Sequence, residues 1–508
     1  MLEISTSNQH IGSTFSSLNP DIYKQFKKYK DAEIFEKVVC DLMLNKYSDD
    51  AELTEFILSL PNDKQRMGLL GIIDDTNNGK DNVLWSKMNS YVNECSDKFE
   101  HIKDVIKIMS KFVKEGEVER KKFGEVMTPI SLVRKMLINL PKKVWSNPKL
   151  KWLDPANGAG TFPYVVIYML MKGLAEWEPD TEKRYKHIVE NMIYTCELQS
   201  RNVFLWLCGV DPKNEYTTNS YWGSFLDVDF DYHMKNVWGL EKFDIILGNP
   251  PYQDPENKRL PLWQTFFKKS FRLLNDGGYI NYVHPSAWRK PRHELLELFK
   301  VNNLLYLNIN SQKEGVSVFG AGTRFDYYLL QKEKYNGITK IVDEDGQEYE
   351  LNIEGLPFIP HSSFDILESI ISNDDGLTVI HSRSMYGNDK RHMSKTQSED
   401  NPYPCVYSTP CKGDVNFLYS KIKSGHFGVN KIIIGKASPE NCFYDNGQYG
   451  VTNNCFAIEV NNSDDAENIV NCIKSDKFKK FVNNCKWSGY SFEHEVFELL
   501  KKDFWTEF

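Results

Sequence analysis

Two consecutive prolines, Pro250 and Pro251, end a largely apolar run at residues 243–248 and fix the path of the chain there. Because proline locks φ and has no backbone N–H, neither a strand nor a helix can continue through the pair. The run ends in Gly248, which is typical of a buried strand that enters a tight turn. Residues 249–252 are therefore predicted to form a rigid ledge at the carboxyl end of a strand, where open α/β sheets bind ligands.

The ledge offers the groups that a planar ring with an amine would need. The Asn249 side chain and the Pro250 carbonyl can each accept an N–H, and the Tyr252 ring can stack on the ligand. An ordinary proline turn after a strand would show the same residues, so the ledge alone does not decide the function.

A second strand-and-loop pattern lies upstream, at residues 151–162. Asp154 ends the strand, Gly158 and Gly160 allow close backbone approach, and an apolar helix pattern follows. The loop lacks the third glycine of a dinucleotide fingerprint and the lysine of a phosphate loop. An acid before the loop would repel phosphate and favours a cationic ligand.

The ledge sequence Asn-Pro-Pro-Tyr resembles motif IV of S-adenosylmethionine-dependent amino-methyltransferases, above all the N6-adenine DNA methyltransferases. Residues 151–162 resemble motif I of the same family. The resemblance implies that S-adenosylmethionine is the cofactor and that its cationic end lies near Asp154. The motif I residues implied to bind it are Asp154, Pro155, Ala156, Gly158 and Gly160.

Three further segments follow the order of the family's motifs. Glu197, at the end of a predicted second strand, resembles the motif II acid that binds the ribose hydroxyls. Thr128 and Pro129 resemble motif X, which touches the methionine end of the cofactor, and they are predicted as the N-cap and first residue of a helix. At motif III the usual acid is replaced by Ser224, which leaves Phe225 to stack on the cofactor adenine and Asp227 as the candidate acid.

Residues 316–323 and 325–330 are predicted to form the closing hairpin of the sheet. The family carries an aromatic residue there that contacts the target base. Phe319 is the first candidate and Phe325 the second, and either could be a core residue instead.

The motif order X, I, II, III, IV followed by a long tail resembles the gamma class, which carries its target recognition region last. The predicted fold is α/β, with a Rossmann-like methyltransferase sheet at residues 119–335. A helical domain at 1–118 precedes it, and a mixed α/β target recognition domain at 336–508 follows. A chain of 508 residues is long enough for such a division.

The net charge of −8 is unusual for a protein that binds DNA, but binding needs only a local basic surface. Residues 101–150 hold 12 Lys and Arg against 5 Asp and Glu, and residues 256–300 hold 9 against 4. Either run could be a solvated helix face. The predicted DNA contacts are Lys258, Arg259, Arg289, Lys290 and Arg292.

Ten scattered cysteines with no Cys-x-x-Cys pair predict no metal site. The absence of a signal pattern and of a long apolar run predicts a cytoplasmic protein, or a nuclear one in a eukaryote or virus, with no membrane contact.

These features together predict methyl transfer to N6 of an adenine flipped out of double-stranded DNA. Three alternatives remain open: a type I-like modification subunit that needs a separate specificity chain, another amino-methyltransferase acting on cytosine N4 or protein glutamine, and a non-catalytic DNA-binding subunit. The partners predicted besides DNA are an endonuclease or a specificity subunit. The sequence does not set the oligomeric state.

Overall fold

A computed structural model describes residues 98–115, 128–198, 200–211, 215–253, 261–372, 376–381, 391–410, 412–423, 426–437, 439–487 and 492–508. The chain divides into two compact units. Unit 1 comprises Met1–His284, Asn302–Asn308 and Gln312–Lys340, and unit 2 comprises Pro285–Val301, Ile309–Ser311 and Ile341–Phe508. The predicted N-terminal helical domain lies outside the described residues, except for one helix, Lys98–Glu115.

Unit 1 alternates strands with helices. Its helices are α1 Lys98–Glu115, α2 Ile130–Leu137, α3 Lys142–Trp145, α4 Thr161–Gly173, α5 Thr181–His187, α6 Ser200–Val210, α7 Val228–Asn236 and α8 Leu262–Leu273. Its strands are β1 Trp152–Asp154, β2 Ile193–Glu197, β3 Asn219–Trp222, β4 Phe243–Gly248 and β5 Leu274–Pro285. After helix α9 Glu294–Val301 of unit 2 come β6 Asn302–Asn310, α10 Gln312–Phe319 and β7 Phe325–Lys334.

The first seven strands of the central sheet run in the spatial order β3-β2-β1-β4-β5-β7-β6. Strand β1 pairs in parallel with β2 on one side and with β4 on the other. The chain therefore winds outward from β1 to β3 and then returns to begin the other half of the sheet at β4. This reversal is a topological switch point, which leaves a crevice at the carboxyl ends of β1 and β4.

The core of unit 1 explains why these segments form a sheet covered by helices. Strands β1 and β4 are buried on both faces, as parallel strands between helices usually are. Helix α4 is apolar on nearly every side and buries nine residues. It lies next to α1 and α2, so the glycine loop that precedes it is fixed at one end by a fully packed helix.

Two local predictions in unit 1 are wrong. Residues 316–319 belong to helix α10, so the segment before β7 is not the first strand of a hairpin. The apolar residues there have the spacing of one helical face as well as that of a short strand. Helix α2 begins at Ile130 with Pro129 as its N-cap, so Thr128, the predicted cap, lies one residue before the observed one.

Unit 2 contains two small sheets. Before them come strands β8 Thr339–Val342 and β9 Glu348–Leu351 and the short helix α11 Leu367–Ile370. One sheet has the order β10-β17-β14-β15 and the other β11-β13-β12-β16. The strands are β10 Val379–Ile380, β11 Met393–Ser394, β12 Tyr403–Ser408, β13 Asn416–Ser420, β14 Asn430–Gly435, β15 Phe443–Asn446, β16 Gly450–Val451 and β17 Cys455–Glu459.

The helices that complete unit 2 are α12 Ser463–Lys474, α13 Asp476–Asn484 and α14 Glu495–Glu498. Asn462 and Ser475 cap the first two through their side chains. This mixed α/β composition agrees with the fold class predicted for the C-terminal region. None of the helices in the described ranges is long and apolar enough to span a bilayer.

Candidate active site

The ledge predicted at residues 249–252 lies at the end of β4, beside the end of β1. Gly248, the last residue of β4, has φ +147°, and a Cβ built on it would lie 2.8 Å from Asp154 Oδ1. Any larger residue would collide with the carboxylate or force it to move. Gly248 therefore allows the ledge and the first residue of the glycine loop to approach each other closely.

Asn249 is held by a contact across 121 positions of the sequence. Its Nδ2 donates a hydrogen bond to Thr128 Oγ1 at 3.1 Å, and the Thr128 side chain is only 4% exposed. An amide that donates through Nδ2 presents its Oδ1 in the opposite direction. This contact makes Thr128 a positioning residue for the Asn249 side chain.

The glycine loop is tied to the end of β2. The Asn157 N–H donates to the Cys196 carbonyl at 3.0 Å, and the Gly158 N–H donates to Glu197 Oε2 at 2.7 Å. Gly160 has φ +96°, and a Cβ there would lie 2.6 Å from the Trp206 ring. The backbone amides of the loop and the Glu197 carboxylate are therefore adjacent, as the resemblance to motifs I and II implies.

Asp154 is a buried carboxyl group whose hydrogen bonds are incomplete. It is 2% exposed, and its Oδ1 accepts the Ala156 N–H at 3.1 Å. Burial raises the pKa of Asp154 to about 8, with the nearby Glu197 charge acting in the same direction and the Ala156 hydrogen bond against it. A cation beside this group would favour its ionised form.

Within the part of the chain that the structure describes, four buried atoms of this region have no hydrogen-bond partner. They are Asp154 Oδ2, Asn157 Oδ1, Asn249 Oδ1 and the Tyr252 hydroxyl. A buried polar atom left unpaired costs about 1–3 kcal/mol, so such a group indicates a function or a ligand. Three of the four, with Asp154 in the ionised form that a cation favours, are acceptors only, and they suit a ligand rich in N–H and O–H donors.

The remaining ledge residues differ in exposure. Pro250 is buried, Pro251 is exposed and the Tyr252 side chain is half-buried. Burial of the hydroxyl, with Asp326 nearby, raises the pKa of Tyr252 above its usual range, so the phenol stays neutral. A neutral, partly exposed ring on a rigid turn is suited to stacking.

The structure contradicts the prediction that the Phe225 ring stacks on the cofactor adenine. Phe225 is 1% exposed and packs against Phe230 and Phe266, with ring centroids 5.0 and 5.3 Å away. Lys269 Nζ lies 5.1 Å from the same ring centroid. Phe225 is therefore a core residue here. Asp227, the candidate motif III acid, is half-buried next to the first turn of α7, and its carbonyl accepts a hydrogen bond from Lys269.

Phe319 is likewise a core residue, which contradicts its predicted contact with the target base. It is buried at the end of α10, and its ring packs edge-on against Phe325 at 4.8 Å. Phe325, the second candidate, is also buried.

The predicted DNA contacts divide into three groups. Lys258 and Arg259 lie outside the described residues. Arg289 is fully buried, and its guanidinium donates to the carbonyls of Ile359 and Pro360, so its predicted DNA contact is wrong. Lys290 and Arg292 reach solvent, with side chains 36% and 67% exposed, and they pair with Glu493 and Glu498.

Two features of the site escaped the sequence reasoning. The role of Thr128 depends on a contact between distant positions, for which a single sequence carries no signal. Asn157 stands within the motif I segment, but only the structure shows that its Oδ1 is buried and unpaired among the described residues.

Comparison with known proteins supports the class that this site suggests. Residues 180–314, which include the ends of β2 and β4 and the ledge, match the family described as Eco57I restriction-modification methylase. A curated protein of Mycoplasma pneumoniae, described as an uncharacterized adenine-specific methylase, is 25% identical over 235 aligned positions. That alignment covers 32% of this chain and 55% of the relative, so the chain spans about half of the relative's length.

Residues 180–314 are thus similar to a restriction-modification methylase family, and the partial relative is described as adenine-specific, which confirms the predicted resemblance.

Solved structures of restriction-modification enzymes resemble the chain weakly. The type ISP enzyme LlaGI bound to a DNA substrate mimic is 15% identical, with a TM-score of 0.46 over 95% of this chain and 67% of that one. The type IIL enzyme MmeI bound to DNA is 11% identical, with a TM-score of 0.43 over 88% of this chain and 72% of that one. Since both TM-scores are below 0.5, neither likeness adds to the argument.

Proposed function

We propose that this chain transfers a methyl group from S-adenosylmethionine to N6 of an adenine flipped out of double-stranded DNA. The observation that carries the proposal is the pair of unpaired acceptors at neighbouring strand ends. Asp154 Oδ2 at the end of β1 suits a cationic cofactor, and Asn249 Oδ1 after β4 suits an amine. The close approach of Gly248 to Asp154 keeps the two acceptors in one crevice.

The amine of adenine is a poor nucleophile because its lone pair is conjugated with the ring. In the proposed mechanism Asn249 Oδ1 accepts one N–H of the amine and the Pro250 carbonyl accepts the other. Two acceptors below the ring plane draw the nitrogen toward a tetrahedral geometry and free the lone pair. Because the ledge is rigid, this arrangement exists before the base arrives, and such preorganised dipoles supply much of enzymatic rate enhancement.

The residues around the glycine loop fit the cofactor. The Asp154 carboxylate would pair with its ammonium group, and the Glu197 carboxylate would accept from its ribose hydroxyls. Pro129, Pro155, Ala156, Gly158 and Gly160 would line the pocket. When bound, the cofactor supplies a sulfonium methyl group that is already activated for transfer.

Tyr252 would stack on the flipped adenine. Base–aromatic stacking contributes about 1–3 kcal/mol, which offsets part of the cost of taking the base out of the duplex. The neutral phenol keeps a polar atom inside the pocket without adding a charge.

Sequence-selective DNA binding is proposed for unit 2 because the ledge can contact only the flipped base. Lys290 and Arg292 would contact phosphates there, and Lys258 and Arg259 are further candidates. In a bacterium such an enzyme would work in the cytoplasm, alone or with a specificity subunit or endonuclease.

The test is transfer of a tritiated methyl group from S-adenosylmethionine to unmethylated duplex DNA, followed by digestion and chromatography of the nucleosides. The proposal predicts label in N6-methyl-2′-deoxyadenosine alone. Label in N4-methylcytosine, or in added protein, would make this another kind of amino-methyltransferase. Activity only after addition of a specificity chain would identify a type I-like subunit.

A further inference from the structure

Three side chains of unit 2, none of them in a segment that carries a methylase motif, bring metal-binding atoms together. His381 follows strand β10, and His494 and Glu498 stand four residues apart at α14. Each offers one ligand atom, and these atoms all lie within 4.8 Å of one another. Residues four apart share one face of a helical turn, so His494 and Glu498 face the same side.

The backbone holds the two segments in register. The Leu377 N–H donates to the Leu500 carbonyl at 3.2 Å, and a Cβ on Gly376 would lie 2.0 Å from the Glu498 carbonyl. Strand β10 is itself paired with β17. The segment that carries His381 therefore approaches α14 through main-chain contacts, independently of the three side chains.

The distances between donors fit a small cation. Zinc binds His nitrogens and carboxylate oxygens at about 2.0–2.2 Å, so its tetrahedral ligands are about 3.4 Å apart. The His381 and His494 rings lie against each other, with centroids 4.0 Å apart, so both side chains must rotate to point one nitrogen each at a shared ion. Contraction from 4.8 Å or less to zinc geometry requires only small side-chain rotations.

Groups around the cluster resemble the outer partners of a metal site. His494 Nδ1 lies 3.1 Å from Glu495 Oε2, a buried oxygen that has no hydrogen-bond partner among the described residues. A carboxylate on the second ring nitrogen is the usual partner of a metal-bound histidine. Arg292 forms an ion pair with Glu498 Oε2 at 2.7 Å. The backbone of Arg292 has φ +60°, an angle that residues other than glycine seldom adopt. A carboxylate has two oxygens, so this ion pair is compatible with a metal bond.

We propose that His381, His494 and Glu498 bind one divalent cation of the zinc class. Two imidazoles and a carboxylate are a donor set that zinc favours over magnesium or calcium. The ion would cross-link the segment around β10 to the C-terminal helix of unit 2. Because such an ion binds the folded state, it would stabilise this unit without taking part in methyl transfer.

The experiment uses full-length, untagged protein that has been treated with a chelator and dialysed. Zinc chloride is titrated by calorimetry, metal content is measured by plasma mass spectrometry, and the thermal midpoint is followed. We expect about one zinc per chain and a higher midpoint with zinc. His381→Ala and Glu498→Gln should each weaken zinc binding at least tenfold. His392→Ala, which removes an exposed histidine of the same unit, should bind like the wild type.

Cobalt chloride gives a second readout that needs no variant. Cobalt in a site of this kind shows visible absorption bands, and zinc should displace it with loss of the bands. The proposal is overturned if the wild type takes up no zinc and shows no cobalt spectrum. It is equally overturned if His381→Ala, while folded by circular dichroism, binds zinc as tightly as His392→Ala.

Discussion

Replacing Thr128 by valine tests whether this residue positions the side-chain amide of Asn249, which is proposed to bind the target amine. Valine keeps the branched shape of threonine and removes Oγ1, the atom that accepts from Asn249 Nδ2 at 3.1 Å. Thr128 is 4% exposed, so water has little access to the stranded N–H. A buried donor left unpaired costs about 1–3 kcal/mol, and the amide would avoid this cost by rotating its Oδ1 away from the target amine.

The expected loss in the rate of methyl transfer follows from that cost. At 1.4 kcal/mol for each factor of ten, a penalty of about 1–3 kcal/mol lowers the single-turnover rate about 5- to 150-fold. Thr128→Ser keeps the hydroxyl and loses the methyl group, so it should stay within about threefold of the wild type. The assay is single-turnover transfer of a labelled methyl group to duplex DNA, with the cofactor dissociation constant measured separately.

Two results would refute the reasoning. A valine variant with the wild-type rate would show that the Thr128 contact does not position Asn249. A normal maximal rate with much weaker cofactor binding would instead assign Thr128 to the cofactor, as the resemblance to motif X implies.

Other perturbations test the cofactor loop and the packing of each unit. Because the pKa of Asp154 is about 8, cofactor affinity should rise with pH below that value, by up to about tenfold per pH unit, as the carboxyl group ionises. The ligand's own amine, with a pKa near 8, loses its charge in the same range. The readout is therefore calorimetry of cofactor binding against pH for the wild type and for Asp154→Asn. Parallel pH profiles of the two proteins would contradict the assignment. Gly160→Ala should lower the free energy of unfolding by about 2–5 kcal/mol, since it adds a clash with Trp206 to the strain of a positive φ. Gly158→Ala, with no atom within 4 Å of the new Cβ, should cost only about 1–2 kcal/mol in the same urea titration, and equal losses would contradict this reasoning. In unit 2, Lys431→Met removes the ion-pair partner that lies 2.6 Å from the buried Asp445 carboxylate. The free energy of unfolding should fall by about 3–5 kcal/mol, and a fall below about 1 kcal/mol would show that the pair is unimportant.

The parts of the site that depend on local chain geometry could be predicted from the sequence. The double proline and the glycines at 158 and 160 constrain φ directly, so the ledge and the loop lie where the motifs predicted, at the ends of β4 and β1. Glu197 stands beside the loop for a similar reason, since parallel strands align their carboxyl ends.

The parts that depend on tertiary packing could not be predicted. Phe225 and Phe319 were assigned to ligands because aromatic residues suit stacking, but the same rings fill the core. Arg289 was predicted to contact DNA because it lies in a basic segment. A short helical turn within that segment instead places the Arg289 guanidinium inside unit 2. The pairing of His381 with His494 depends on contacts across more than a hundred positions, for which one sequence gives no pattern.

The central claim is tested most directly by mass spectrometry of nucleosides from the DNA of a host that lacks its own adenine methylases. Expression of the wild-type chain should produce N6-methyl-2′-deoxyadenosine, and expression of Asn249→Ala at the same level should produce none above background. The variant should bind S-adenosylmethionine within a few-fold of the wild type, because Asn249 is assigned to the target amine. Equal amounts of N6-methyl-2′-deoxyadenosine from both chains would contradict the account.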